Sequence, residues 1–217
     1  MEHQEDLRKF MAAGAATMGV SLAPTHVDQF MTYLQELIRW NKKINLTGID
    51  NPRDIIVKHF LDSLAALNAC TIPLRSEIVD IGSGAGFPGI PLKIVRGDLQ
   101  LMVVEPVHKK TSFLKSLIGL LKLKDVSTFD GTVQEYVKMP RKTLADFVVV
   151  RAIKLNEIMP SMTELLRLGG RALLYRTESI DSTEIYSNFT LIKEVSFTLP
   201  HGYGHRVISV MEMRKAA

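Results

Sequence analysis

Residues 77–92 read EIVDIGSGAGFPGIPL. Ile78, Val79 and Ile81 form an apolar run, the pattern of a short buried strand, and the acid Asp80 sits near its end. Glycines follow at alternate positions, Gly82, Gly84 and Gly86, and then Pro88, Gly89 and Pro91 lead into a further apolar stretch. A strand, a glycine turn and a helix start are how an α/β sheet presents backbone N–H groups to a ligand. Glycine serves there because it tolerates positive φ and lets the backbone come close. The stretch therefore predicts a cradle for a nucleotide-like cofactor.

Downstream of it, strand and helix patterns alternate. Strands are expected at 77–81, 101–105, 125–129, 146–150 and 171–175, with helices at 88–96, 107–123 and 156–168. Gly169–Gly170 is placed to cap the last of these helices. Such alternation predicts a mostly parallel sheet covered on both faces. The tail departs from it. Residues 190–199 and 206–213 both read as strands, with HGYGH between them, so the last strand is expected to run antiparallel to a neighbour.

Upstream, residues 1–72 read as a helical extension, and 73–217 as the cofactor-binding domain. Thr25 and Asp28 form a capping-box pattern after Pro24. Val27, Phe30, Met31, Leu34, Leu37 and Ile38 then recur at helical spacing as far as Trp40–Asn41. Asn51–Pro52 supplies a second helix start, with Asp54 in its first turn. Ile55, Ile56, Phe60, Leu64 and Leu67 form that helix's apolar face.

Composition narrows the classes. The chain has 217 residues, 46% hydrophobic and 23% charged, enough for a sizeable core. The net charge of +4 permits an RNA partner without requiring one. Cys70 is the single cysteine, so neither a disulfide framework nor a cysteine zinc site is expected. MEHQEDLRKF, at the start, lacks the basic-then-apolar pattern of a secretory signal. No apolar run reaches about 18 residues, so no membrane partner is expected. A reducing, cytoplasmic setting, a monomer and no metal are the expectations.

Two cofactor classes use such a turn. Gly84, Gly86 and Gly89 match the dinucleotide pattern G-x-G-x-x-G, but Pro88 then falls inside it and Gly82 is unexplained. The pattern D-x-G-x-G-x-G, Asp80 to Gly86, is the first motif of Rossmann-like S-adenosylmethionine methyltransferases and accounts for Asp80 and for all three alternate glycines. Asp80 can accept from the cofactor's ammonium, directly or through water. Glu105 ends the second strand, twenty-one residues after Gly84, where an acid can accept from both ribose hydroxyls of either cofactor. An antiparallel last strand is usual in Rossmann-like methyltransferases and absent from a plain dinucleotide domain, a fold-level analogy favouring S-adenosylmethionine.

WNKKINLTGI (40–49), HFLDSL (59–64), DIGSGAGFPGIPL (80–92), VEPVHKKTSFL (104–114) and VVVRA (148–152) resemble the RsmG (GidB) family of bacterial 16S rRNA guanine-N7 methyltransferases. The likeness runs over roughly 25–212. It implies a Rossmann-like class I methyltransferase sheet in which Gly82 and Phe87 contact S-adenosylmethionine; Asp80, Ser83, Gly84, Gly86 and Arg151 are further candidates to bind that cofactor. It further implies Glu105 near the ribose, the backbone of Val133 and Gln134 by the adenine, and Arg151 facing the reaction site, with Phe87 over the cofactor. The family often reads E-S where this chain has Glu105–Pro106, and G-R-A-E where it has Gly131–Thr132–Val133–Gln134. The partner implied is 16S rRNA or the small ribosomal subunit.

Arg151 follows the buried run 147–150 and so ends a strand at the binding crevice. Its planar fork suits a cofactor carboxylate or an RNA phosphate. His59, Asp62 and Ser63 share a helix face at i, i+3 and i+4. Of these, His59 and Asp62 join Arg151 as candidates for the reaction site. Lys42, Lys43, Asn45, Lys109 and Lys110 are candidates for the RNA backbone, and His201, His205 and Arg206 flank a loop that either meets RNA or turns the hairpin. From the residues alone, a nicotinamide oxidoreductase, a methyltransferase with a non-RNA substrate and a non-catalytic RNA-binding module stay open.

Overall fold

A computed structural model of the chain describes residues 4–140, 142, 144–181 and 188–214, so residues 1–3 of the N-terminal stretch lie outside it. Seven strands form one sheet: β1 (Glu77–Ile81), β2 (Gln100–Glu105), β3 (Val126–Asp130), β4 (Ala145–Arg151), β5 (Leu166–Arg176), β6 (Phe189–Thr198) and β7 (His205–Met213). Their order is β3-β2-β1-β4-β5-β7-β6. The first five run parallel, and β7 runs antiparallel between β5 and β6. This is the sheet of a Rossmann-like methyltransferase, antiparallel last strand included.

The chain moves outward from β1 through β2 to β3, then returns to the other side of β1 as β4. The switch point lies at the carboxyl ends of β1 and β4, where an open α/β sheet leaves a crevice. The glycine turn after β1, Glu105, Asp130, Arg151 and Tyr175 all reach this one edge, because Ile81 pairs with Val104 and Val150, Glu105 with Asp130, and Arg151 with Tyr175.

Alternation along the strands builds two cores. Ile78, Val103, Phe147, Val149 and Leu173 face the N-terminal helices together with α6 (Gly89–Val95) and α7 (His108–Leu120). Val79, Ile81, Val104, Val148, Val150 and Leu174 face α8 (Val133–Tyr136) and α9 (Leu155–Leu165). The extension, α1 (Gln4–Thr17), α2 (Pro24–Asn41) and a helical run over 52–69, contributes Met11, Phe30, Tyr33, Leu37 and Phe60 to the first core.

The run over 52–69 is not a uniform helix. Asn51 Oδ1 caps it by accepting from the N–H groups of Arg53 and Asp54, as its sequence predicts. It begins as α3 (Pro52–Ile55), widens into a π-helical stretch (Ile56–Leu61), and continues as α4 (Asp62–Leu64) and α5 (Ala66–Ala69).

Two sequence expectations fail here. Pro24 takes the first helical position of α2, so the N-cap is Ala23 rather than Thr25, and Asp28 pairs with Arg8. Gly169–Gly170 does not cap α9, which ends at Leu165. The pair lies inside β5, where the register against β4 shifts between Ala145 and Phe147, and Gly169 takes φ +77°. A Cβ on Gly170 would lie 2.8 Å from the Arg167 carbonyl oxygen, so the glycine makes a bulge possible.

Candidate functional site

The glycine turn is held from three sides. Gly82 N–H donates to the Val104 carbonyl at 2.8 Å, which ties the turn to β2. The hydroxyl of Tyr33, fully buried on α2, donates to the Ala85 carbonyl. Gly84 N–H donates to Glu105 Oε2 at 2.8 Å, and Val107 N–H donates to Oε1 of the same carboxylate at 3.0 Å. Glu105 therefore stands at the end of β2 expected for it, and it braces the turn.

Asp80 is 0% exposed. Its Oδ2 accepts from the Ser83 hydroxyl and, at 2.8 Å, from Gly89 N–H, while Oδ1 has no hydrogen-bond partner. Burial pushes its carboxyl up to about 6, against the pull of Ser83, Gly89 and Arg151. Gly89 is a glycine because of this acid: a Cβ there would lie 2.6 Å from Asp80 Oδ2.

S-Adenosylmethionine fits this arrangement on two counts. An orphaned carboxylate oxygen is the acceptor that the cofactor's ammonium needs, directly or through water. At Gly84, φ +63°, a Cβ would point into open space with no protein atom within 4 Å, the cradle a ligand fills.

Val133 is buried at the start of α8, and Gln134 Nε2 donates to the Glu157 carbonyl at 3.1 Å. Thr132, which stands where the family often has arginine, is the N-cap of α8. Its hydroxyl oxygen accepts from Glu135 N–H at 3.2 Å, and Glu135 Oε2 accepts from Thr132 N–H at 2.7 Å.

Across the crevice, Arg151 is the centre of a cluster. Its Nη1 donates to the Lys58 carbonyl at 3.1 Å and to Asp62 Oδ2 at 3.3 Å, and its Nη2 lies 3.2 Å from His59 Nδ1. The guanidinium also sits over the Phe87 ring, 5.0 Å from its centroid. Arg206 Nε approaches Asp62 Oδ1 at 3.5 Å, so one buried carboxylate stands between two arginines. Burial raises the Asp62 carboxyl from its ordinary value, and the two arginines oppose this.

His59 lies between these groups and the turn. Its ring stacks on Phe87 at 4.5 Å and 17°, and its Nε2 lies 2.8 Å from Thr47 Oγ1. Burial and the neighbouring Arg151 hold its pKa down, at about 3. A guanidinium can only donate, so the Arg151 contact requires Nδ1 as acceptor and leaves Nε2–H for Thr47, whereas the opposite tautomer would donate to the Lys58 carbonyl instead. His59 is neutral at physiological pH.

Phe87 is 4% exposed and also stacks on Tyr33, 5.4 Å between centroids. It belongs to the wall joining the turn to the helical extension. Ser63 does not join its helical neighbours: it is fully buried, and its carbonyl accepts from the Tyr175 hydroxyl at 2.6 Å.

Beside Arg151 a cleft of about 550 Å3 opens, lined among others by Ile49, His59, Asp62, Ile153, Tyr175 and Arg206. A larger hollow of about 620 Å3, by Gln29 and Lys122, contains none of these groups. No group of three or more His, Cys, Asp or Glu side chains suited to a metal occurs among the described residues. The HGYGH loop docks on the helices. His201 stacks on Phe10 at 4.4 Å, and the Tyr203 hydroxyl donates to Asp54 Oδ1 at 2.9 Å.

Sequence reasoning missed Tyr33, Thr47 and the Arg206–Asp62 contact. Thr47 lies in the stretch 40–49, so the signal was present as a motif without a role. Tyr33 carries no local signal, and Arg206 stands out only beside its loop, since their partners lie 52 and 144 residues away.

Comparison with known proteins bears on this site. The family model described as "rRNA small subunit methyltransferase G" matches residues 26–201. A relative of that name from Desulfitobacterium hafniense is 34% identical over 221 residues, covering 97% of this chain and 90% of the relative. Another, from Caldanaerobacter subterraneus subsp. tengcongensis, is 33% identical over 189 residues, covering 86% and 78%. Among solved structures, TrmN from Thermus thermophilus superposes with a TM-score of 0.59 at 13% identity, covering 70% of this chain and 48% of that one. MtNAS in complex with MTA and tNA gives 0.56 at 16% identity, covering 95% and 71%; at such identities the likeness concerns the fold.

Proposed function

Because this chain belongs to the rRNA small subunit methyltransferase G family, we propose that it transfers a methyl group from S-adenosylmethionine to N7 of a guanosine in the decoding-region hairpin of 16S rRNA. One observation supports the reading: the D-x-G-x-G-x-G turn and the Arg151–Asp62–His59 cluster lie at the same carboxyl edge of the sheet and meet through Phe87. A nicotinamide oxidoreductase is disfavoured, because Gly89, the third glycine of its pattern, is accounted for by packing on Asp80. The bacterial cytoplasm, where the substrate RNA resides, is the setting.

When bound, the cofactor supplies an electrophilic methyl group on a sulfonium. The residues that would hold it are Asp80, Gly82, Ser83, Gly84, Gly86 and Glu105, with the backbone of Val133 and Gln134 and the Phe87 wall. N7 of guanine has a free lone pair, so no proton must be removed before attack. A neutral His59 with its Nδ1 lone pair committed to Arg151 is consistent with this, for it is not available as a base. Arg151, fixed by three acceptors and a ring face, orients the substrate side of the crevice. Its contribution is alignment and exclusion of water. The target base must be unstacked, since a side-chain cleft cannot enclose a base within a helix.

The test is incorporation of label from S-adenosylmethionine into small subunits lacking the modification, followed by mapping of the labelled base. A label at guanine N7 is expected. Arg151→Ala should retain the fold and lose roughly a hundredfold or more in turnover.

A further inference from the structure

We infer that Thr47 is a positioning residue for the reaction: through His59 it holds the Arg151 guanidinium in its working place. The inference rests on the methyltransferase reading above and adds a role for the stretch 40–49.

The chain of contacts is continuous. Asn41, the last residue of α2, accepts at Oδ1 from Leu46 N–H at 2.8 Å and from Thr47 N–H at 3.0 Å, and its Nδ2 donates to the Thr47 carbonyl at 2.9 Å. Both backbone polar groups of Thr47 are thereby pinned to a helix end. The Thr47 hydroxyl oxygen accepts from Ile49 N–H at 3.2 Å and stands 2.8 Å from His59 Nε2. His59 in turn meets Arg151 at 3.2 Å through Nδ1.

The two ring nitrogens cannot be set independently. Imidazole in its neutral form has one donor and one acceptor, and guanidinium has donors only. Arg151, which can only donate, therefore selects the Nε2–H tautomer, and the Thr47 hydroxyl, able to accept from Nε2–H, holds the ring plane that stacks on Phe87. Without the Thr47 hydroxyl, the ring loses the contact that fixes its rotation; as it turns, the Arg151 contact at Nδ1 weakens and the Nδ1–H tautomer, with the Lys58 carbonyl as acceptor, becomes accessible. Asp62 and the Lys58 carbonyl still hold Nη1, so the arginine stays in the site but loses its orientation about that anchor.

The test compares Thr47→Val, of similar shape without the hydroxyl, with Thr47→Ser, which keeps it. Thr47→Val should lower kcat for rRNA methylation by about ten- to a hundredfold, the scale of a small misplacement. Cofactor affinity should change by less than about threefold, which separates positioning from cofactor binding. Side-chain 15N NMR of His59 should show a single Nε2–H tautomer in the wild type and a mixture in Thr47→Val. Thr47→Ser should restore both readouts. Wild-type turnover with a single tautomer in Thr47→Val would overturn the inference, as would a loss that serine does not recover. If the wild-type chain methylates no rRNA, the functional reading fails, and the tautomer of His59 in the two variants still decides whether Thr47 sets it.

Discussion

Gly82, Gly84 and Gly86 take φ values of +65°, +63° and +103°, and they differ in what surrounds them. A Cβ on Gly82 would meet Ile153 Cδ1 at 2.3 Å, and one on Gly86 would meet the Tyr33 hydroxyl at 2.5 Å. At Gly84 it would meet nothing. Gly84→Ala should therefore cost only the left-handed backbone strain, about 1–2 kcal/mol in urea unfolding, while abolishing detectable cofactor binding by calorimetry. Gly86→Ala should lose more stability than that, because overpacking against Tyr33, Ile90 and Leu114 adds to the strain, whereas at Gly82 the half-buried Ile153 side chain can give way. Sequence alone made the three equivalent; only their neighbours, brought in from α2 and the β4 exit, tell them apart. Asp80 was legible as an acid near a strand end, but its buried, half-partnered state was not. The folded protein holds the Asp80 proton up to about pH 6, whereas the unfolded chain releases it in the ordinary carboxylate range. Between those limits the native state binds more protons, so this group's contribution to stability falls as pH rises. Cofactor affinity should move the opposite way, dropping as pH falls below about 6, and Asp80→Asn should flatten that titration in calorimetry.

At the scale of elements, α2 governs the glycine turn through one hydroxyl. Tyr33→Phe leaves the Ala85 carbonyl without its buried donor and should destabilise the fold by about 1–3 kcal/mol. Cofactor affinity should fall with it, since the turn loses a fixed point; unchanged affinity in Tyr33→Phe would show that β2 and Glu105 hold the turn alone. The periodicity of residues 27–38 announced α2 as an amphipathic helix, and Tyr33 broke no rule of that pattern. The π-helical stretch at Ile56–Leu61 was illegible for a related reason. Its residues have ordinary helical spacing, and beside it His59 and Asp62 both reach Arg151 while the Ser63 carbonyl accepts from the Tyr175 hydroxyl. The Gly169–Gly170 pair is ambiguous in the sequence because a helix cap and a strand bulge both use glycine at positive φ, and which one forms depends on the register of β4.

At the scale of the whole molecule, the helical extension and the cofactor-binding part share one hydrophobic core, from Met11 and Phe30 to Phe113 and Val149. The C-terminal loop closes over the extension through His201 on Phe10 and Tyr203 on Asp54. Division at residue 72 therefore describes the change of pattern along the chain, and we propose that the two parts fold as one unit. Thermal unfolding followed by far-UV and aromatic signals should give a single coincident transition, and the fragment 73–217 should not fold alone. The alternation of strands and helices, the antiparallel return and the strand-end acids were readable because each is local. Arg151, His59 and Asp62 were readable as candidates from a strand end and a helix face, but their mutual contacts and the place of Thr47 beside His59 were not, because these form only when the extension packs across the sheet. The most direct measurement is methyl transfer from labelled S-adenosylmethionine to small ribosomal subunits lacking the modification, with wild type and Arg151→Ala side by side. The account predicts one labelled guanine, methylated at N7, in 16S rRNA with the wild type and at least a hundredfold less with the variant. No label in 16S rRNA, or equal labelling by both proteins, would contradict it.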